Sequence, residues 1–106
     1  MTNSRSVTAV GPYRFDRDAN ELTDDEGRST ALRPQTGTVL AVLLDNAGSV
    51  VTKDHLMKTV WPDTFVTDDS LVQCISEIRR ALGPEASTLL KTVPKKGYRL
   101  DLAWAG

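Results

Sequence analysis

The sequence predicts an α+β domain, with a small antiparallel sheet first, three helices next and a β-hairpin last. Three observations carry this expectation. Residues 13–32 alternate apolar and polar side chains between clusters of turn formers, the pattern of half-buried strands. Residues 34–82 place Leu, Ile and Val at helical spacing in three stretches, each with its own stop signal. Residues 89–93 and 98–102 are strand-like and flank Pro94-Lys95-Lys96-Gly97, a hairpin with two lysines at its tip.

Residues 1–12 are small and polar and end in Gly11-Pro12, so a flexible tail is expected there, ahead of a folded domain over 13–103. Tyr13 and Phe15, alternating with Arg14 and Asp16, form a first strand. Asp18-Ala19-Asn20 turns it, and Glu21-Leu22-Thr23 returns. Asp24-Asp25-Glu26-Gly27 turns again, with Gly27 free to take positive φ, into a third strand over 28–32. Pro34 suits the first turn of a helix, where its missing N–H costs nothing. Val39, Leu40, Leu43 and Leu44 then share one face, and Asn46-Ala47-Gly48 stops the helix. Gly37 inside it lowers helix propensity by about 1 kcal/mol relative to Ala.

Val50-Val51 reads as a short strand. Thr52 then caps a second helix that turns Leu56, Val60 and Trp61 inward and ends at Pro62. The third helix is expected to be capped by Thr67, with Asp68 and Asp69 at its positive end and Arg79 and Arg80 at its negative end. Leu71, Ile75, Ile78 and Leu82 make one continuous apolar stripe, and Gly83-Pro84 stops it. The opposite side carries Asp69, Gln73, Ser76, Glu77 and Arg80, with Cys74 on the flank.

Composition removes most chemistries. One Cys allows neither an intrachain disulfide nor a Cys-rich zinc site, and one His cannot complete a His-based metal centre. His55 has no nucleophile at a suggestive spacing. No catalytic residue, metal ligand or cofactor is therefore expected. The longest purely apolar run, residues 39–44, is far too short to span a bilayer, and the N-terminus lacks the apolar core of a secretory signal. A soluble protein in a reducing compartment is the expectation. The net charge of −1 conceals a gradient: residues 1–70 carry 7 Lys/Arg against 11 Asp/Glu, and residues 71–106 carry 6 against 3. A basic C-terminal third on an acidic body suits contact with a polyanion.

Helix, short strand, helix, polar connection, amphipathic helix and basic-tipped hairpin is the order of a winged helix-turn-helix. Such a domain reads DNA with one helix whose outer face carries hydrogen-bonding side chains, while wing cations reach phosphate or the minor groove. Gln73 can pair with adenine, and Glu77 can accept from cytosine N4. Trp61 and Tyr98 read as packing residues rather than stacking platforms. Cys74, near Asp69 and Glu77, reads as an inert contact.

Tyr13-Arg14-Phe15-Asp16, Glu21-Leu22, Leu32-Arg33-Pro34, Val50-Val51-Thr52, Leu56, Val60-Trp61-Pro62, the run Ile75-Ser76-Glu77-Ile78-Arg79-Arg80-Ala81-Leu82 and the run Thr92-Val93-Pro94-Lys95-Lys96-Gly97-Tyr98-Arg99 resemble the OmpR/PhoB-type winged-helix domain. They are most similar to its CadC/ToxR-like branch, over residues 13–102. The resemblance implies an N-terminal four-stranded sheet, a three-helix core and a C-terminal wing. It implies sequence-specific binding of double-stranded DNA by the effector domain of a bacterial transcriptional regulator, monomeric when free and paired on direct repeats. It sets Asp69, Gln73, Cys74 and Glu77 toward the major groove, and Ser70, Ser76, Arg79 and Arg80 toward phosphates. Thr92, Lys95, Lys96 and Tyr98 fall in the wing contact, and residues 62–67 match a loop that can touch RNA polymerase.

Many members place Arg or His where this chain has Asp69, Cys74 and Glu77. Thr36 and Gly37 stand where bulkier residues are usual, so the start of the first helix is expected to pack loosely. In the CadC/ToxR-like branch a sensor or membrane segment follows the domain. The resemblance thus implies a cytoplasmic, DNA-associated domain excised from a full-length protein that is anchored through a segment absent here. The rival reading is a winged helix used for protein–protein interaction without specific DNA binding, which the acidic balance and acidic groove-facing residues favour. A small enzyme is a distant third.

Overall fold

A computed structural model describes residues 7–101. Val7–Val10 (β1) and Tyr13–Asp16 (β2) pair antiparallel across Gly11-Pro12, with Gly11 at φ 61°. This corrects the expected tail over 1–12, at least from Val7 onward. Val10 is fully buried, so the strand is held by its apolar end and its ladder to β2. Four residues are too few to show alternation in sequence, and only the partner strand makes them one. The rest of the expected tail, and residues 102–103, lie outside the described residues.

Glu21–Thr23 (β3) and Ser29–Ala31 (β4) complete a sheet ordered β1-β2-β3-β4. Its register sets Phe15 opposite Leu22. Tyr13, Phe15 and Leu22 face the core while Arg14 faces solvent, as the alternation requires. The β3–β4 turn is held by the Asp24 carboxylate, which accepts the Glu26 and Arg28 N–H groups at 2.9 and 2.8 Å, with Gly27 at φ 88°.

Pro34–Asp45 (α1) starts at its proline, as expected. Its first turn is not loosely packed: Thr36 is fully buried and Gly37 is buried. A Cβ on Gly37 would lie 1.8 Å from Asn20 Oδ1, so the small residue here admits the Asn20 side chain. Asn20, itself in the left-handed region at φ 58°, donates from Nδ2 toward the Leu32 and Arg33 carbonyls at 3.5 and 3.4 Å.

Val50–Thr52 (β5) leads directly into Lys53–Val60 (α2), whose cap is Thr52: its Oγ1 accepts the His55 N–H at 3.1 Å. Asp68–Leu82 (α3) follows and ends at Gly83, φ 64°. Its capping residue is Thr67, but the Thr67 side chain makes no capping bond; its backbone carbonyl accepts the Ser70 N–H at 3.0 Å. A 3-10 turn, Gly83–Glu85, and one short helix, Ala86–Leu89 (α4), then intervene before the hairpin. The sequence reading did not anticipate them, because one turn of helix is shorter than the period that reveals it.

Leu90–Val93 (β6) and Gly97–Leu100 (β7) form the hairpin, and β7 also pairs with β5, giving a second sheet ordered β5-β7-β6. Gly97 is required here: a Cβ would meet the Val51 carbonyl oxygen at 2.0 Å. The core lies where the three helices meet both sheets, centred on Phe15, Leu40, Leu43, Leu56, Ile78 and Leu100. Tyr13 ties the first sheet to the end of α3 by donating its hydroxyl proton to the Leu82 carbonyl. Among the described residues, no helix is long and apolar enough to cross a membrane.

Candidate nucleic-acid interface

The stripe Leu71, Ile75, Ile78 and Leu82 is buried to 2% exposure or less, which fixes the rotation of α3. Asp69, Gln73, Ser76 and Arg80 are thereby exposed on the opposite side, and Ser70 is half-buried beside them. The wing is joined to this helix directly. Arg79, half-buried, donates from Nη2 to Thr92 Oγ1 at 2.6 Å, so a residue expected toward phosphate and one expected in the wing contact are engaged with each other. At the hairpin tip Lys95 and Lys96 are exposed, and the Lys96 N–H donates to the Val93 carbonyl at 3.0 Å. Lys95 sits at φ 67°, a conformation that favours glycine or asparagine, so the cation is held in a strained turn position.

Three of the expected site residues are placed differently. Cys74 is 3% exposed and belongs to the core, not to the groove-facing side. Burial pushes its thiol above the usual range, and the Thr36 hydroxyl and Arg33 charge only partly offset this. The thiol is therefore inert chiefly because it is buried, and the nearby Glu77 charge adds to the effect in the expected direction. Tyr98 is 5% exposed and packs inward on β7, so it is no part of the wing's outer surface.

Glu77 is the third. Its Oε2 accepts the Arg33 backbone N–H at 3.1 Å, and its Oε1 accepts both Arg33 Nε and Thr36 Oγ1 at 2.8 Å. A carboxylate offers about four acceptor sites, and three of those of Glu77 are taken by Arg33 and Thr36. Burial pushes its pKa up, but the hydrogen bonds from Arg33 and Thr36 and the charge of Arg33 outweigh it, leaving the carboxyl below its ordinary value. Arg33 responds in kind and is held above its own ordinary value, chiefly by the hydrogen bond to Glu77.

Sequence reasoning missed Arg33 and Thr36 as partners of this helix. They stand 44 and 41 positions before Glu77, and no local pattern couples them. Two shallow grooves border α3, and Arg33 and Gln73 line both. Phe65, in the connection between α2 and α3, is completely exposed, so it does not plug the gap between those helices. Trp61 is half-buried against the core, as expected of a packing residue.

The family model described as transcriptional regulatory protein, C terminal, matches residues 27–100. The chain is 31% identical over 97 residues to the transcriptional activator CadC of Escherichia coli, covering 89% of this chain but only 19% of that relative's length. The solved DNA-binding domain of E. coli CadC superposes with a TM-score of 0.80 at 30% identity, covering 91% of this chain and 92% of that one. A likeness of fold alone, at 24% identity and a TM-score of 0.73, relates it to the Klebsiella pneumoniae RstA DNA-binding domain, solved in complex with the RstA box; that match covers 92% of this chain and 98% of that one. With the matched segment running from the β3–β4 turn through α3 to the end of the wing, the chain belongs to the family of C-terminal domains of transcriptional regulatory proteins.

Proposed function

We propose that this chain is the DNA-binding effector domain of a bacterial transcriptional regulator, placing α3 in the major groove and the 94–97 hairpin tip on phosphate or the minor groove. The observation that carries the reading is the Arg79–Thr92 bond, which sets the wing beside the exposed polar face of α3 as one unit. Gln73 is the residue suited to read a base, because it lies almost opposite the centre of the buried stripe and can pair bidentately with adenine. Ser70, Ser76 and Arg80 flank it within reach of backbone phosphates, and Lys95 and Lys96 add point charges. The domain works in the cytoplasm with the chromosome, monomeric when free and paired on direct repeats. The anchoring of a longer protein, implied by the resemblance, belongs to the same proposal.

The 62–67 loop is part of this reading. Phe65 is fully exposed and has no packing role, so its ring is available for contact with another protein, RNA polymerase in the present proposal.

Binding of purified domain to random and selected duplexes, titrated with salt, tests the reading. Affinity should fall steeply as salt rises. Gln73→Ala should weaken the selected site and relax preference at one position, with random-sequence affinity nearly unchanged. Salt-insensitive or absent binding to every duplex would favour the protein-interaction module instead.

A further inference from the structure

Arg33 stands just ahead of α1, yet its side chain lies across the outer side of α3. Its backbone N–H and its Nε are both taken by Glu77, while its side chain remains 57% exposed. Among the described residues, its two terminal guanidinium nitrogens donate to no protein group. It borders the groove lined by Gln73, Ser76 and Arg80, and the smaller one lined by Gln35, Ser70 and Gln73. A guanidinium gripped at Nε keeps a fork of N–H donors at its far end, a shape that matches a phosphate.

We propose that Arg33 is a phosphate-contacting residue of the α3 interface and that Glu77 is the positioning residue that holds it there. This rests on the DNA-binding reading and extends the contact surface to the β4–α1 junction. Glu77 serves α3 by carrying a cation contributed from elsewhere in the chain, not by reading a base. Thr36, which is buried, donates its hydroxyl to the same Oε1 and limits the swing of the carboxylate. An arginine fixed in this way loses less side-chain freedom on binding than a free surface lysine does.

The sign of one substitution separates this from simple electrostatics. If Glu77 only repelled phosphate, Glu77→Ala would tighten binding; if it positions Arg33, Glu77→Ala weakens it. The experiment measures dissociation constants on selected and random duplexes across a salt series, with thermal melting of each variant. Arg33→Ala should weaken both duplexes several-fold and make the salt slope shallower by about 1. That loss should shrink clearly in the Glu77→Ala background. Glu77→Gln, which keeps an acceptor for Arg33, should retain most of the binding and supports the proposal even if Glu77→Ala fails to fold. Tighter binding by Glu77→Ala, an unchanged slope for Arg33→Ala, or equal Arg33→Ala losses in the wild-type and Glu77→Gln or Glu77→Ala backgrounds with Glu77→Gln as weak as Glu77→Ala would overturn it. Wild-type protein that binds no duplex would instead overturn the DNA-binding reading itself.

Discussion

At the residue scale, two small decisions hold the N-terminal sheet to the helices. Gly37 is unfavourable in an isolated helix, yet its missing side chain is the space that Asn20 fills. Gly37→Ala should gain about 1 kcal/mol of helix propensity and lose about 1–3 kcal/mol to overpacking. The net expectation is a melting temperature lower by several degrees in a thermal scan. Adding Asn20→Gly should recover part of the loss, because Gly tolerates φ 58° and vacates the clash. A Gly37→Ala variant that melts higher than wild type would show that Asn20 is free to move aside.

Glu77 supplies a pH dependence of known sign. Its pKa is lowered in the folded chain from an ordinary 4.5, so its stabilisation is complete above that value and is lost as pH falls through the folded one. The Glu77→Gln variant should therefore melt below wild type by a constant margin from pH 7 to 5. That margin should narrow progressively below pH 4.5, where wild type also loses its carboxylate. A margin that persists unchanged to pH 3 would assign the difference to something other than this ion pair.

At the element scale, the wing is a hairpin fastened by the pairing of β6 to β7 and of β7 to β5, by the Lys53 N–H donated to the Lys96 carbonyl at 3.2 Å, and by Arg79 to Thr92. Its tip cations are exposed and unconstrained beyond the backbone turn, which suits them to supply affinity rather than sequence discrimination. Replacing Lys95 and Lys96 together with Ala should weaken selected and random duplexes alike and lower the salt slope by about 1–2. Lys95→Gly separates binding from folding: it relieves a non-glycine residue at φ 67°, so the melting temperature should hold or rise while DNA affinity falls. A variant that loses both in parallel would make Lys95 a structural residue.

At the scale of the whole molecule, the α2–α3 connection carries Phe65 outside the core that the helices and sheets share. Phe65 contributes nothing visible to the core, so Phe65→Ala should leave melting temperature and DNA affinity nearly unchanged while reducing transcription from a responsive promoter. A fall in melting temperature of several degrees would show a packing role for Phe65 instead.

The rotation of α3 was legible in the sequence because helical phase is a local property: four apolar residues at i, i+4, i+7 and i+11 define the buried side, and Gln73 and Arg80 follow on the other. Turn positions were legible for the same reason, since Gly27, Gly48 and Gly83 each occupy the positive φ that their place at a turn or helix end demands. Cys74 was not, because a flank position is buried or exposed according to what packs beside it, and here the flank is packed into the core. Strand β1 and helix α4 were too short to carry a period. The sequence by itself thus determined the order of the longer elements, the buried stripe and the outward polar face. Only the tertiary structure decided that Glu77 faces Arg33 and Thr36 and that Arg79 holds Thr92, because such pairs join distant segments whose meeting depends on how the sheets and helices pack.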